Sequence, residues 1–296
     1  MTEQTMEPLA KHTTFRIGGP ADYYLIPESR HEVREAVLYA KEKKLPFYIL
    51  GKGMAGIALE RAGVVRVQAG TSMSAMAAKM AEWGLAGFEF AAGIPGTLGG
   101  GIAMNAGAYN GEIKDCILTA TVLDQSGRVR ILKADELELG YRTSIIQKEE
   151  YIVLEAEFYF ESGNPEGIKA HMRDLNSRRR DKQPLEFPSA GSTFKRPEGH
   201  YAGKLIEDAG LKGYRVGDAQ VSEKHCGFVV NRGEATAEDV KKLIYAGCGK
   251  VVLNFSKQSN IDLLEEVSLR FGKEKMMVSI QVKLEPEVRI IPENGL

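Results

Sequence analysis

Apolar side chains recur at helical spacing in two segments of the first third of the chain. The first predicted helix runs from Glu28 to Lys44, where Ser29 followed by Glu32 has the form of a capping box. The second runs from Ser72 to Trp83, a segment rich in Ala and Met. Gly84 follows it directly, at the position where glycine commonly ends a helix.

Short runs of β-branched and apolar residues predict strands between and after these helices. Two of them, Leu118–Leu123 and Val129–Leu132, are joined by Asp124–Gly127, a typical hairpin turn. The predicted strands are Phe47–Leu50, Val64–Val67, Leu118–Leu123, Val129–Leu132 and Tyr151–Phe160.

The second half begins after a segment, Ser162–Gly167, that has the composition of a linker. A basic helix is predicted from Ile168 to Asp181, followed by loops, a strand at Cys226–Val230 and a helix that opens at Thr236. Because strands and helices are interspersed without a regular βαβ rhythm, the pattern favours the α+β class over a doubly wound sheet.

Composition excludes several classes of function. The 296-residue chain has a net charge of −1, so no overall field attracts nucleic acid or an anionic membrane, and an anionic substrate would need a local basic patch. The N-terminus lacks the apolar stretch of a signal peptide, and no run is long enough to span a membrane. Cys116, Cys226 and Cys248 form no metal-binding pattern. We expect a cytoplasmic, monomeric protein with reduced thiols and no metal.

The stretch Ala92–Gly101 holds five glycines and one proline in ten residues. Glycine permits positive φ and a close approach of the backbone to a ligand. Successive N–H groups in such a loop form a concavity that binds anions, and a pyrophosphate fits it well. An ordinary tight loop would have the same composition, so this segment alone leaves both interpretations open.

A second glycine pattern, G-x-G-x-x-G, occurs once, at Gly51, Gly53 and Gly56. A Rossmann dinucleotide site would require a long helix after it and a strand that ends in an acidic residue about 20 positions later. Only Ile57–Arg61 is available for that helix, and the next strand ends at Gln68. The pattern therefore argues against a Rossmann site.

Six motifs in order resemble those of one family, the UDP-N-acetylenolpyruvylglucosamine reductases. They cover most of the chain, and the set is far more specific than any one member. The motifs are His12–Ala21 (HTTFRIGGPA), Ala92–Tyr109 (AGIPGTLGGGIAMNAGAY), Gly140–Ser144 (GYRTS), Pro188–Pro197 (PSAGSTFKRP), Lys224–Asn231 (KHCGFVVN) and Leu284–Ile291 (LEPEVRII).

The resemblance implies an α+β fold with an FAD-binding domain of the vanillyl-alcohol-oxidase type. It implies an FAD-binding domain in residues 1–161, in two subdomains divided near residue 70, and a C-terminal α+β substrate-binding domain in residues 162–283. Residues 284–296 would pack back toward the first domain. The implied reaction is the NADPH-dependent reduction, through FAD, of the enolpyruvyl group of UDP-N-acetylglucosamine enolpyruvate, which yields UDP-N-acetylmuramate for peptidoglycan synthesis.

Three catalytic residues follow from the resemblance. Arg142 would grip the substrate carboxylate and stabilise the charge that develops beside it, as a guanidinium can do with two parallel bonds. Ser192 would donate the proton, assisted by neighbours because a free hydroxyl is a very weak acid. Glu287 would stabilise or protonate the same intermediate, so the choice between Ser192 and Glu287 as proton donor stays open.

The remaining site residues belong to two groups. Those implied to bind FAD are Gly51, Lys52, Gly53, Ala92, Gly93, Ile94, Pro95, Gly96, Thr97, Gly99, Gly100, Asn105, Ala106 and Gly107. Tyr109, at the end of the glycine-rich motif, resembles a substrate-side tyrosine of the family. The substrate diphosphate is proposed to bind Lys182, Lys195 and Arg196, in a local basic cluster that includes Arg178, Arg179 and Arg180. For Lys182 a phosphate contact is the leading hypothesis.

The chain departs from the family pattern after Gly53. Met54–Gly56 stands where the family has Ser-Asn, and about one strand is missing before Val64. Val251–Phe255 resembles that missing strand, which suggests an exchange of a block between the two places. Two alternatives to the reductase stay open. The altered loop would allow a binding protein of the same fold that has lost FAD, and the fold would also allow an FAD-linked oxidase of another substrate.

Overall fold

A computed structural model describes residues 1–51, 53–197 and 199–246, and the backbone of four later strands. The chain divides into two compact units, Met1–Thr193 and Phe194–Leu296. The first unit thus includes the basic helix that follows residue 162. The boundary expected at 161 concerns which residues bind the cofactor and which the substrate, and it stays a prediction.

The helices are short and the strands numerous, as expected for the α+β class. The α-helices are α1 (Arg30–Glu42), α2 (Met73–Glu82), α3 (Leu98–Ala103), α4 (Ile145–Lys148), α5 (Pro165–Lys182), α6 (Ala202–Asp208) and α7 (Ala237–Ala246). The strands are β1 (Thr2–Pro8), β2 (Pro20–Ile26), β3 (Ile57–Arg61), β4 (Val64–Gln68), β5 (Leu85–Ala86), β6 (Gly107–Ala108), β7 (Gly111–Glu112), β8 (Ile117–Leu123), β9 (Val129–Lys133), β10 (Ile152–Tyr159), β11 (Glu161–Ser162), β12 (Ser189–Ser192), β13 (Arg215–Val216), β14 (Ala219–Val221), β15 (Phe228–Asn231), β16 (Val251–Asn254), β17 (Met276–Ser279), β18 (Val282–Leu284) and β19 (Val288–Ile290).

The two predicted N-terminal helices are confirmed, and their caps explain their bounds. Ser29 caps α1 by accepting from the N–H of Glu32, whose carboxylate accepts in turn from the N–H of Glu28. Ser72 caps α2, and Gly84 follows its last turn with φ of 67°. These side chains satisfy N–H groups that have no partner inside a helix.

A five-stranded antiparallel sheet forms the centre of the first unit, in the order β3-β4-β10-β8-β9. The predicted hairpin β8–β9 is confirmed, and Gly127 closes its turn with φ of 78°. Strand β10 alternates buried and partly exposed positions, because every second side chain points into the core. The pairing places β10 at the centre of this sheet.

Aromatic rings and the buried face of α2 fill the core of this unit. Phe88, Phe158 and Phe160 lie with their ring centroids 5.8 to 6.2 Å apart. Met73, Met76 and Met80 of α2 are almost fully buried in the same cluster. This packing fixes the short elements that follow α2, including the glycine-rich stretch.

The predicted strand Phe47–Leu50 is wrong. The segment is irregular, and Tyr48 keeps 87% of its surface exposed and Ile49 60%. An apolar run forms a strand only where a neighbour accepts its hydrogen bonds, and the sheet instead takes β3 as its edge. The apolar character of a short segment is therefore not sufficient to predict a strand.

The second unit contains the antiparallel strands β13, β14 and β15. A loop before β15 is closed by His225, whose Nδ1 accepts from the N–H of Gly227 at 3.1 Å and whose ring packs on Phe228. Thr236 and Asp239 form reciprocal hydrogen bonds that begin α7. Local hydrogen bonding and packing thus account for the side chain of His225.

Two further predictions concern the cysteines and the C-terminal segment. Cys116 and Cys226 are free and buried, while Cys248 lies outside the described residues. Strand β16, which resembles the strand missing near Gly53, pairs in parallel with β17. The exchange of a block stays a prediction. Across the described residues, none of the helices combines the length and apolar character needed to cross a membrane.

Candidate functional site

Three loops of the first unit meet beside the end of the central sheet. Residues 53–56 bond to the turn 68–71, because Gly70 donates to the carbonyl of Met54 at 2.8 Å. That turn bonds to the glycine-rich stretch through Gly99, which donates to Ala69 at 2.9 Å. Gly51 lies directly against Thr97. The shortened loop after Gly53 is therefore tied to the glycine-rich stretch.

One face of the glycine-rich stretch is open. Gly96 has φ of 131°, a conformation that side chains rarely adopt, and nothing lies within 4 Å of the position that a Cβ would take. At Gly100 that position meets only the hydroxyl of Thr97, at 4.0 Å. Within the described part of the chain, no group accepts from the N–H of Gly96, Thr97 or Gly100. These exposed donors suit an anion.

The opposite side of the stretch packs against α5. A methyl group on Gly93 would come 2.4 Å from the side-chain oxygen of Asn176 and 3.1 Å from Cδ of Arg179, so a larger residue there would require these side chains to move. Arg179 is 8% exposed, and its Nε has no hydrogen-bond partner among the described residues. None of the ion pairs of the described residues includes it. A buried cation of this kind is costly without an anion.

The stretch continues into a tight hairpin formed by β6 and β7. Its two central residues, Tyr109 and Asn110, both have positive φ, as type I′ hairpin turns require. Tyr109 therefore stands at the tip of the turn, 40% exposed. Gly107 lies opposite Glu112, and a side chain at Gly107 would collide with it. The predicted substrate-side tyrosine is thus held by backbone geometry.

Arg142 is held on a turn closed by two backbone hydrogen bonds between Gly140 and Thr143. Its φ of 55° lies in the left-handed region, where strain is typical of functional sites. One terminal nitrogen donates to the carbonyl of Gly107 at 3.1 Å, and the guanidinium lies 5.5 Å from the ring of Tyr141. Arg142 is thus brought against the hairpin that follows the glycine-rich stretch. Among the described residues its guanidinium makes this one hydrogen bond, so most of its five donors are unused.

Asn105 joins the turn of Arg142 to the hairpin. Its side-chain amide donates to Glu112 at 2.9 Å and to the carbonyl of Gly140 at 3.1 Å, while its oxygen accepts from the N–H of Lys114 at 3.0 Å. At 1% exposure, both amide hydrogens and the oxygen are used within the protein. A contact of Asn105 with FAD stays a prediction. The side chain itself links the turn of Arg142 to the hairpin.

Glu112 was not singled out by the sequence. Its carboxylate bonds to the ammonium of Lys114 at 2.8 Å and to the amide of Asn105. These bonds, with the nearby charge of Arg142, lower the pKa of Glu112 below its usual value. The carboxylate is therefore ionised at neutral pH. The motif that contains Tyr109 ends three positions before Glu112, which was the only available signal.

The other predicted residues are more scattered. Ser192 is exposed at the end of β12, a strand tied to the N-terminal segment because Thr14 donates to the carbonyl of Ser189 at 2.9 Å. Lys182 ends α5 and is exposed. Among the described residues, no hydrogen bond joins Ser192 to Arg142.

Four further predicted residues belong to the second unit or lie outside the described residues. Lys195 and Arg196 belong to the second unit, where the guanidinium of Arg196 lies 3.8 Å from the ring centroid of Tyr201. Lys52 and Glu287 lie outside the described residues. Their predicted roles are therefore carried by sequence alone.

The open backbone face and the unpartnered Nε of Arg179 fit the diphosphate-bearing cofactor that the sequence implies. Gly96, Thr97 and Gly100 offer N–H groups without acceptors, and Gly96 and Gly100 leave room for a ligand to approach. Ala92, Ile94 and Ala106 bury their side chains or bond locally, which keeps the stretch rigid. Pro95 precedes the open face.

Comparisons with known proteins show the family to which the chain is similar. A family model described as an FAD binding domain matches residues 53–133, and one described as the C-terminal domain of UDP-N-acetylenolpyruvoylglucosamine reductase matches residues 183–270. The UDP-N-acetylenolpyruvoylglucosamine reductase of Lachnoclostridium phytofermentans is 48% identical over 310 residues, covering 97% of this chain and 92% of that protein. The reductase of Caldanaerobacter subterraneus is 50% identical over 256 residues, covering 80% and 85%.

The crystal structure of UDP-N-acetylenolpyruvylglucosamine reductase from Thermus caldophilus matches with a TM-score of 0.72 and 31% identity, covering 84% of this chain and 95% of that one. The fold and the matched domain define an α+β flavoprotein with the FAD-binding fold of the vanillyl-alcohol-oxidase type. Within that class, the chain belongs to the UDP-N-acetylenolpyruvoylglucosamine reductase family. The predicted family, fold class and cofactor are thereby confirmed.

Proposed function

We propose that this protein is an NADPH-dependent flavoenzyme that reduces the enolpyruvyl group of UDP-N-acetylglucosamine enolpyruvate to the lactyl ether of UDP-N-acetylmuramate. The observation that carries the proposal is the bond of Arg142 to Gly107, in the hairpin that follows the glycine-rich stretch, in a family with this activity in its name. The site then has an anion-binding backbone face for the cofactor and a cation for the substrate carboxylate.

When bound, FAD supplies the hydride chemistry, accepting two electrons from NADPH and delivering them to the terminal carbon of the enolpyruvyl double bond. Arg142 binds the substrate carboxylate and stabilises the negative charge that builds on that side. Because its guanidinium is already fixed by Gly107 and by its turn, little reorganisation is needed when the charge develops. The other carbon then takes a proton.

We assign the proton to Ser192, with Glu287 assisting it or replacing it. The backbone before Ser192 leaves room for a substrate, since Gly191 has φ of 84° and nothing lies within 4 Å of its Cβ position. Lys182, Lys195 and Arg196 would meet the diphosphate of the substrate. In this division the FAD-binding part is residues 1–161 and the substrate-binding part residues 162–283.

The first test is the visible absorption spectrum of the purified protein after addition of FAD and removal of the excess by gel filtration. Retained flavin bands that are bleached by NADPH and restored by the enolpyruvyl substrate under nitrogen would support the reductase. Retained and bleached bands that the substrate fails to restore would favour a flavoenzyme of another substrate. Absence of retained flavin would favour the binding protein that has lost FAD through the loop after Gly53.

A further inference from the structure

The side chain of Asn105 is the centre of a hydrogen-bond network that the catalytic assignment does not use. It makes three bonds inside the protein, to Glu112, to Gly140 and from Lys114, and is almost completely buried. A buried amide with every group satisfied is costly to replace, because each lost partner leaves another group unpaired. The network is therefore a rigid part of the structure.

This network reaches Arg142 from two directions. Asn105 holds the carbonyl of Gly140, where the turn of Arg142 begins. Glu112 lies opposite Gly107 in the hairpin, and the carbonyl of Gly107 accepts from the guanidinium of Arg142. The backbone turn of Arg142 is thus held by Asn105, and its guanidinium is held by the strand residue that pairs with Glu112.

The backbone around the network stores strain that needs such support. Asn105, Tyr109, Asn110 and Arg142 all have φ between 43° and 68°, the left-handed region. Residues held there persist only where their neighbours determine the conformation. Without the bond to Gly140, the turn could relax and Arg142 would lose its position.

We propose that Asn105 and Glu112 are positioning residues for Arg142, and that the ionised Glu112 keeps the guanidinium aimed at the substrate carboxylate. This inference rests on the proposed function. The carboxylate of Glu112 attracts the guanidinium without binding it directly, because its hydrogen bonds go to Asn105 and Lys114. The donors of Arg142 therefore stay available for the substrate.

The central experiment uses Glu112→Gln, which keeps the shape of the side chain and removes its charge. Stopped-flow absorbance separates flavin reduction by NADPH from flavin reoxidation by the enolpyruvyl substrate. We expect reoxidation to slow about tenfold or more, as misplacement of a catalytic group by a fraction of an ångström does, with FAD content and reduction by NADPH within about twofold of wild type. Asn105→Ala is the second variant, with the same expectation for its folded, flavin-loaded fraction.

Glu138→Gln is the matched control. Glu138 lies two residues before the turn of Arg142 and pairs with Lys148 at 2.5 Å. Among the described residues it is not a hydrogen-bond partner of Asn105. It should leave both half-reactions within about twofold of wild type. If Glu138→Gln slowed reoxidation as much as Glu112→Gln, the loss of any nearby charge would explain the result and the proposal would be rejected.

A double-mutant cycle with Arg142→Ala tests whether Glu112 acts through Arg142. In that background, Glu112→Gln should change reoxidation by less than about twofold, because there is no guanidinium left to position. Equal effects in both backgrounds would overturn the proposal. This comparison distinguishes positioning from a general structural role.

Hydrogen exchange measured by mass spectrometry decides the positioning even if the substrate proves to be another molecule. In Glu112→Gln and Asn105→Ala, the peptide that covers residues 138–146 should exchange faster than in wild type. The peptide that covers α2 should exchange at the wild-type rate in both variants. Unchanged exchange at 138–146 would overturn the proposal. Failure of the wild-type protein to be reoxidised by the enolpyruvyl substrate would instead count against the proposed function alone.

Discussion

The guanidinium of Arg179 lies against Gly93, so closely that a methyl group on Gly93 would come 3.2 Å from its terminal nitrogen. The same guanidinium is buried, and its Nε has no partner among the described residues. A helix that follows the central sheet thus brings an unpaired cation to the glycine-rich stretch. An anion bound on that stretch would relieve the cost of burying it.

Arg179→Met should therefore act in opposite directions on the two forms of the protein. Without FAD, removal of an unpaired buried charge should leave the melting temperature unchanged or raise it. With FAD, the affinity should fall about tenfold or more, because a charged hydrogen bond is lost. Thermal melts of the apoprotein and fluorescence titration with FAD measure both effects.

Arg178→Met is the control for that prediction. Arg178 is exposed and pairs with Asp174 one turn earlier on the same helix, at 2.7 Å. Exposed pairs contribute little, so FAD affinity should change less than about twofold. Wild-type FAD affinity in Arg179→Met would show that the buried guanidinium does not serve the cofactor.

Gly100→Ala tests whether the open face of the glycine-rich stretch holds FAD. The new methyl group meets only the hydroxyl of Thr97 at 4.0 Å, and alanine favours a helix by up to about 1 kcal/mol over glycine. The apoprotein should be as stable as wild type or more so, while FAD affinity falls. Gly167→Ala, at an open position of α5, should leave the affinity unchanged. Full FAD affinity in Gly100→Ala would place the cofactor elsewhere.

Arg142→Lys tests the proposed carboxylate contact. Lysine keeps a positive charge but cannot form two parallel bonds, and it lacks the reach to hold Gly107 in the same geometry. We expect reoxidation by the substrate to slow about 100-fold, with reduction by NADPH nearly unchanged. Single-turnover absorbance measures both. A loss confined to the NADPH half-reaction would contradict the assignment.

Ser192→Ala tests the proton donor. Removal of the hydroxyl should leave flavin reduction by NADPH intact and slow reoxidation by substrate about 100-fold, the range typical of general acid catalysis. The solvent deuterium isotope effect on reoxidation should also change. Two fast half-reactions in Ser192→Ala would transfer the role to Glu287, for which Glu287→Gln is the next variant.

The pKa of Glu112 gives a prediction for stability against pH. This pKa is lowered by the bond to Lys114 first and also by Asn105, so its contribution is complete above the ordinary value of 4.5 and is lost as pH falls through the folded value below it. The melting temperature of wild type should exceed that of Glu112→Gln above pH 4.5. The difference should shrink at lower pH, where both side chains are neutral. If the difference in melting temperature did not depend on pH, it would come from the shape of the side chain and not from its charge.

Patterns confined to one short segment were predicted well. Ser29, Ser72 and Gly84 bound the helices α1 and α2 because caps satisfy backbone groups within a few residues. The hairpin at Asp124–Gly127 was also predicted, because its turn is closed by bonds within the same few residues. Phe47–Leu50 failed because a strand depends on a partner that the segment itself does not contain.

For the candidate site, the sequence by itself determined the residue types. The glycine-rich stretch, Arg142 and Ser192 were identified from motifs, because their spacing is specific to one family. The sequence also placed a basic run at residues 178–182, but it treated these residues as one cluster facing the substrate.

Only the tertiary structure decided which members of those motifs meet. It separated buried Arg179 from exposed Arg178, and it committed the amide of Asn105 to Glu112 and Gly140 rather than leaving it for a ligand. The bond between Asn105 and Gly140 joins residues 35 positions apart. No local pattern encodes such distances, so these roles become visible only when the chain is folded.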